Sequence, residues 1–145
     1  MKALIRAHPS LAGTVATLYT GAPWSVLDST SHGKATAVAF QLVGNKWKAD
    51  LTKNVVISVL GPQPGERVSP MPQIAIEFKS KGRFTESALW LDGVELQERG
   101  GGTPTDGTIY GSSNVGLTPG EHVAVGFAST ATHGSAIAWI FDVPG

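Results

Sequence analysis

The residues most able to do chemistry in this sequence are four histidines, and their spacing does not favour a metal centre. They are His8, His32, His122 and His133. Metal-binding pairs on a single element usually follow H-x-H or H-E-x-x-H spacing, and neither pattern occurs. Cysteine is absent, which excludes thiolate ligands and a thiol nucleophile. We therefore predict no metal and no cofactor, and we interpret His122 as an ordinary strand residue.

Ser25, Asp28 and His32 lie close together in sequence and supply the residue types of a nucleophilic triad. No G-x-S-x-G elbow accompanies them, and a triad is defined by geometry rather than by proximity in sequence. A turn rich in serine, threonine and aspartate accounts for these residues more simply. We predict that the protein is not an enzyme.

Three further segments also lack the features of a ligand site. Gly100–Gly102 has no downstream glycine and no strand-to-helix context, so we interpret it as a flexible connection. Asp92-Gly93 is a tight-turn signal without the repeated acidic ligands of a calcium loop. The basic cluster Lys79, Lys81 and Arg83 is diluted by nearby glutamates and is more typical of a solvated strand edge.

Composition sets the class of the protein. The chain has 145 residues, of which 41% are hydrophobic and 15% charged, so it can bury a substantial core. Its formal net charge is zero, which gives no global field to attract nucleic acid or an anionic membrane. The longest apolar runs, such as Ala136–Phe141, are far too short for a membrane helix. We expect neither nucleic acid nor membrane as a partner.

The dominant periodicity along the chain is two, which predicts strands separated by Gly/Pro turns. About seven short strands between residue 54 and the C-terminus fit an antiparallel β-sandwich. Alternation within those strands selects one inward face for each. The predicted core consists of Ile74, Ile76, Phe78, Leu89, Leu91, Val123, Val125, Trp139 and Phe141.

The first part of the chain has a weaker pattern. Val15–Tyr19 is a candidate strand, and Ala35–Val43 and Lys46–Leu51 flank the hairpin signal Gly44-Asn45. Residues 1–12 have the character of an extended arm. We therefore divide the chain into an N-terminal arm and small β unit at 1–53, which would act as an anchor, and a sandwich domain at 54–145.

Six segments follow one another between residues 54 and 143: Pro62-x-Pro64-Gly65-Glu66-x-Val68, Ile74-x-Ile76-x-Phe78, Ser87-x-Leu89-x-Leu91-Asp92-Gly93-Val94, Thr108-Ile109-Tyr110, Leu117-x-x-Gly120-x-His122-Val123-x-Val125 and Trp139-x-Phe141-x-Val143. In this order they resemble a bacterial immunoglobulin-like domain. This resemblance implies an all-β, Ig-like antiparallel sandwich. Domains of this kind occur in surface proteins and in phage virion accessory or decoration proteins, and so the resemblance implies binding or architecture and no catalytic residues.

One face of the predicted sandwich is a candidate binding surface. Because side chains alternate along a strand, Trp90 faces outward if its neighbours Leu89 and Leu91 face the core. The same argument places Ile140 outward on the last strand. The strand between these two offers His122 and Ala124 on that face, which together predicts a shallow apolar groove, and such patches often mark contact sites.

Two alternatives remain open for this face. Residues 1–50 would cover it if Phe40 or Trp47 packs on Trp90, and Trp47 is for that reason included among the candidate binding residues. A sugar ring stacking on Trp90 is the other alternative. The sequence does not decide between an intramolecular cover and an external partner.

These observations predict a non-enzymatic structural or adhesive module. Its sharpest form is a virion accessory, such as a capsid decoration protein, with a capsid or tail protein as partner and a homo-oligomer left open. The start of the sequence shows no secretory signal, so we expect a virion assembled in the host cytoplasm. The alternative is a carbohydrate- or cell-wall-binding module of a larger exported bacterial protein, located on the cell surface and binding a surface glycan.

Overall fold

The computed structural model describes residues 14–21, 24–31 and 34–145. His8, His32 and the predicted arm at 1–12 lie outside the described residues. The described part is all-β, as the period-two pattern predicts. Within it, no helix is long and apolar enough to cross a membrane.

Twelve strands follow one another along the described chain. They are β1 (Thr14–Gly21), β2 (Trp24–Ser31), β3 (Lys34–Val43), β4 (Lys46–Ala49), β5 (Val55–Gly61), β6 (Gln73–Ser80), β7 (Phe84–Leu91), β8 (Val94–Glu95), β9 (Arg99–Thr103), β10 (Asp106–Ser112), β11 (Gly120–Thr130) and β12 (Gly134–Val143).

Strands β5 to β12 form two antiparallel sheets that enclose one core. One sheet has the order β5-β6-β10-β9 and the other β12-β11-β7-β8. With the letters customary for immunoglobulin domains, these orders are A-B-E-D and G-F-C-C′, which is the immunoglobulin arrangement. The strand order therefore confirms the Ig-like sandwich that was predicted from sequence.

Strands β1 to β4 form a third antiparallel sheet in sequence order, which we call the N-terminal sheet. The predicted hairpin around Gly44-Asn45 is present, and Gly44 has a φ of 64°, a conformation that glycine adopts at little cost. Strand β2 was not predicted, because its serines and threonines were interpreted as a turn. The division of the chain at residue 53 into two domains stays a prediction.

Most of the residues predicted to form the sandwich core are found there. Side chains from both sheets fill it, and burying each large aliphatic or aromatic one stabilises the fold by about 1.5–3 kcal/mol. The buried cluster comprises Val55, Ile74, Ile76, Phe78, Leu89, Leu91, Leu96, Ile109, Ala124, Ala128, Trp139, Phe141 and Val143.

The face of β11 that points into this core is the opposite of the one predicted. Ala124 faces the core, whereas Val123 and Val125 lie on the outer side of the sheet. Ala124 lies opposite Leu91 and Val125 opposite Trp90, and directly opposed residues of an antiparallel pair share a face. Both faces of β11 are covered, so hydrophobic alternation alone cannot tell which one is the sandwich core.

The residues on the core face of β11 are small because side chains from other strands fill the space above them. A Cβ built on Gly126 would lie 2.8 Å from the Cδ1 atom of Ile76, which belongs to the opposite sheet. Bulky residues on that face of β11 would therefore collide with the core. The large side chains of β11 are found on its outer face, where a third layer accommodates them.

The glycine run at Gly100–Gly102 is a strand and not the flexible connection that was predicted. It forms most of β9, which pairs with β10 in a regular antiparallel register. A Cβ on Gly100 would overlap the carbonyl oxygen of Thr108 on the neighbouring strand. The run is therefore needed for close approach of two backbones.

Candidate functional site

The N-terminal sheet packs on the outer face of the β12-β11-β7-β8 sheet and buries it. Trp24 is 2% exposed and meets the ring of Phe127 at a centroid distance of 5.8 Å. The shared cluster comprises Trp24, Val26, Ala39, Ala88, Trp90, Val125 and Phe127, with Ala37, Val123, Ala136 and Ala138 packed against it. The protein therefore has three stacked layers.

Trp90 lies inside this interface and is 3% exposed. It does face away from the sandwich core, as alternation predicted, but the chain itself covers it. The described residues of the N-terminal sheet that share its buried cluster are Trp24, Val26 and Ala39, whereas Phe40 and Trp47 belong to a separate cluster. With the N-terminal sheet in place, Trp90 offers no surface on which a sugar or a partner protein could stack.

His122 and Ala124 do not share a face with Trp90, which corrects the predicted groove. Ala124 is fully buried in the sandwich core, and the His122 ring stacks on Phe141 at a centroid distance of 5.9 Å. The Nδ1 atom of His122 lies 2.6 Å from a carboxylate oxygen of Asp92. His122 therefore holds two strands together at the edge of the sandwich core.

Trp47 also lies apart from the other candidates. It packs beside the fully buried Leu27 and Phe40 on the side of the N-terminal sheet that faces away from the sandwich. Of the five predicted binding residues, the structure brings Trp90 and Ile140 to one face, and Ile140 remains half-buried at its rim.

A buried carboxylate holds the N-terminal sheet to the sandwich. One Asp50 oxygen accepts hydrogen bonds from the Gly134 N–H at 2.9 Å and is 3.2 Å from Nδ1 of His133. The other accepts from the hydroxyl and the N–H of Thr52 at 2.6 and 3.0 Å. Burial raises the pKa of Asp50, but these hydrogen bonds outweigh it and leave the pKa below its ordinary 3.8.

The surface feature best suited to binding is a groove where β3 and β12 lie side by side at the rim of the layers. One part has a volume of ≈ 600 Å³ and is lined by Lys34–Thr36, Ala138–Asp142 and the Pro64–Arg67 segment. A second part, of ≈ 200 Å³, lies further along the same two strands and is lined by Ala37–Ala39 and Ser135-Ala136, among others. We call the two parts together the rim groove.

The wall formed by β12 is an open strand edge over half of its length. At the other half, the loop after β5 pairs with it: Gly65 N–H donates to the Ile140 carbonyl at 2.7 Å, and Asp142 N–H donates to the Glu66 carbonyl at 2.9 Å. Residues two apart on a strand point their backbone groups the same way. Ala136 and Ala138 thus direct theirs into the groove, where no described residue pairs with them.

The wall formed by β3 is open in the same way. Asp50 N–H donates to the Ala39 carbonyl at 2.9 Å, which shows that Ala39 points its backbone groups toward the β4 side. Ala35 and Ala37 therefore point to that side too, beyond the last residue that β4 pairs. Two open strand edges thus line one groove, and both are bordered by alanine side chains.

The charges of the rim groove are partly neutralised within the fold. Asp142 lies 3.8 Å from the Arg67 guanidinium. Lys34 and Lys53 are exposed near opposite ends of the groove, and neither has a carboxylate within 4 Å among the described residues. Glu121 also lines the groove, and no described cation pairs with it. At its two ends the groove thus offers cations that no described carboxylate pairs with.

The described residues do not assemble the catalytic or metal sites that were weighed from sequence. Ser25 and Asp28 project from opposite faces of β2, because they are three positions apart and side chains alternate along a strand. Burial raises the pKa of Asp28 above its ordinary 3.8 despite a backbone hydrogen bond that lowers it. Across the described ranges, no group of three His, Asp or Glu side chains is close enough to hold a metal.

The sequence contained one signal for the rim groove that was not used. Alanine recurs at every second position in Ala35, Ala37 and Ala39 and again in Ala136 and Ala138. Small residues at period two allow a backbone or a second sheet to approach closely. Nothing in sequence, however, shows that these two stretches lie side by side.

Comparisons with known proteins give a likeness in fold alone. No protein-family model matches the chain, and a search of curated proteins finds no significant match. Among solved structures, the chain is similar to the titin Ig tandem domains A164-A165, with a TM-score of 0.40 and 8% identity over 83% of this chain. The aligned part spans 61% of the titin chain.

Proposed function

We propose that the protein is a non-enzymatic module that binds another protein and serves as a structural part of a larger assembly. The rim groove supports this proposal, since it combines open backbone edges with unpaired cations at its ends. The three-layer packing gives the groove rigid walls, because both strands that line it also contribute to a buried cluster. Rigid walls lower the entropy lost on binding.

In its narrowest form, the proposal is an accessory protein of a bacterial virus particle, such as a capsid decoration protein, with a capsid or tail protein as partner. The absence of cysteine supports it, because the fold gains its cohesion from burial and needs no oxidising compartment. A protein assembled in the host cytoplasm would have this property. A cell-wall module that stacks sugars on Trp90 is less favoured, since that ring is covered.

Sedimentation with particles tests the proposal. Particles produced from the genome that encodes this chain should carry the protein, and purified protein should bind again to particles made without it. The charge reversals Lys34→Glu and Lys53→Glu in the groove should weaken that binding, whereas Lys46→Glu, on an exposed lysine outside the groove, should not. Particles that neither contain nor bind the protein would exclude the virion version. Binding to a glycan array would favour the cell-wall module instead.

A further inference from the structure

We infer that the rim groove binds an extended peptide segment of another protein, which adds to the open edge of β12 as one more strand. The inference rests on the proposed function, because it specifies how such a module would hold its partner. Strand addition to an exposed edge derives its affinity from backbone hydrogen bonds and its selectivity from alternate side chains.

Another segment of this molecule already pairs with part of the edge of β12. Gly65 and Val68 donate to the carbonyls of Ile140 and Asp142 at 2.7 and 2.9 Å, and Arg67 forms a parallel bridge with Asp142. The rim groove begins where this pairing ends. An incoming strand would therefore continue a pairing that the fold has started.

The open edge of β12 in the groove has the length that an extended peptide requires. From Ala136 to Ile140 the edge spans five residues, or about 17 Å of strand at the usual rise, and of its outward backbone groups the described residues pair only the Ile140 carbonyl, which accepts from Gly65. The loop at Asp50–Lys53 closes one end and the Pro64–Arg67 segment closes the other. An inserted strand of about five residues would fit between these two stops.

The chemistry of the lining indicates which peptide fits. Half-buried Ala136, Ala138 and Ile140 favour small or branched apolar side chains on the residues that face them. Lys34 and Lys53, near the two ends, favour carboxylates at the ends of the peptide. We therefore assign the occupant as an extended segment with alternating apolar residues and acidic flanks.

Amide hydrogen exchange with a synthetic peptide tests this assignment. The probe is the heptapeptide Glu-Val-Ser-Val-Ser-Val-Glu, whose five central residues match the edge and whose end glutamates are placed for Lys34 and Lys53, added to the 145-residue chain. The amides of Ala136, Ala138 and Ile140 should exchange at least about tenfold more slowly with the peptide present. The amides of Ile137 and Trp139 point toward β11 and should not change. Absence of protection, or protection at Ala35 and Ala37 instead, would overturn the assignment to β12.

Removing single backbone donors provides the matched controls. A probe that is N-methylated at alternate residues keeps its side chains but loses donors, and it should bind at least about tenfold more weakly. Replacing the end glutamates with lysines should also weaken binding. In the protein, Ala138→Pro removes the outward N–H at an edge that tolerates proline, whereas Ala138→Ser keeps it. Equal binding by all these forms would refute strand addition.

These results can be separated from the test of the proposed function. If Ala138→Pro does not fold, as far-UV circular dichroism would show, the N-methylated peptide makes the same test on the unaltered protein. Peptide protection without particle binding would refute the virion version and leave the groove assignment standing. Particle binding that is unchanged by Ala138→Pro would refute the groove assignment and leave the function standing.

Discussion

The imidazole of His122 joins the Asp92 turn to the start of β11. Its Nδ1 lies 2.6 Å from the Asp92 carboxylate, and its Nε2 lies 2.7 Å from the Thr118 carbonyl oxygen. Both neighbours accept hydrogen bonds, so the ring satisfies both contacts when both of its nitrogens carry protons. The second carboxylate oxygen of Asp92 accepts the Val123 N–H at 2.9 Å, which ties the same turn to the neighbouring strand.

This contact makes stability depend on pH. Burial lowers the pKa of His122, but the hydrogen bonds to Asp92 and Thr118 outweigh it and raise the pKa above the ordinary 6.5. The charged form is therefore favoured by folding, and its contribution is fully present below pH 6.5. We expect the free energy of unfolding to fall as the pH rises from 6.5 through the folded-state pKa, as measured by urea denaturation at several pH values.

Asp92→Asn isolates the charge in this pair. Asp92 has a φ of 51°, a conformation that asparagine also adopts readily, so the turn should survive the substitution. We expect a loss of about 1–2 kcal/mol below pH 6.5, because one charged hydrogen bond is removed and Asp92 is partly exposed. His122→Gln should remove the pH dependence in the same window. A wild-type pH profile that persists in Asp92→Asn would show that another group is responsible.

The contribution of Asp50 to stability should depend on pH in the opposite direction. Its pKa lies below the ordinary 3.8, so its contribution is present above pH 3.8 and is lost as the pH falls through the folded-state value. At neutral pH, Asp50→Asn should cost about 1–3 kcal/mol, since its carboxylate is 9% exposed and accepts hydrogen bonds from both layers. Amide exchange in β3 and β4 should accelerate with it. Thr52→Val, which removes one donor of this cluster, should cost less; equal stability of Asp50→Asn and wild type would contradict the clamp.

Trp24 should contribute more to stability than Trp47, the other tryptophan of the N-terminal sheet. Its ring contacts Phe127 and fills the space above Gly134, where a Cβ would lie 2.7 Å from it. Trp24→Ala should destabilise the protein by about 3–5 kcal/mol in urea denaturation. Trp47 is half-buried on the far side of the same sheet. Trp47→Ala is therefore the control and should lower the free energy of unfolding by about half as much. Equal losses would mean that the two layers are not coupled through Trp24.

The glycines of β9 should differ sharply from one another. Gly100→Ala places a methyl group against the Thr108 carbonyl oxygen and should disrupt the pairing of β9 with β10, at a cost of about 2 kcal/mol or more. A Cβ on Gly101 meets no atom within 4 Å, so Gly101→Ala should change stability by less than about 0.5 kcal/mol. Thermal unfolding of the two variants measures the difference. Equal tolerance would favour the flexible connection that the sequence suggested.

Single strands with one clear pattern were predictable from the sequence. In β6, Ile74, Ile76 and Phe78 alternate with alanine and charged residues, and in β12, Trp139 and Phe141 alternate with smaller residues. The hairpin signals at Gly44-Asn45 and Asp92-Gly93 were also correct, because each needs a backbone conformation that few residues adopt. These features are local, and so the chain specifies them without reference to its other parts.

The location of a binding surface was not predictable in this way. Trp90 was correctly placed on the outer face of its sheet, yet that face became an interior when β2 and β3 packed against it. The large side chains of β11 pointed to that same interior, which reversed the predicted faces of His122 and Ala124. Strand β2 itself was missed because its serines and an aspartate match the composition of a turn.

The sequence by itself determined most strands of the sandwich, where several turns occur and that the fold is all-β, because alternation and turn residues act over a few neighbouring positions. The resemblance of its six segments to a known family added the Ig-like arrangement. Only the tertiary structure decided that a third layer covers Trp90 and that β3 and β12 leave their edges open beside each other. Period-two alternation distinguishes the two faces of a strand but does not show which elements pack against each face. Contacts between strands about 100 positions apart, such as β3 and β12, supply that information.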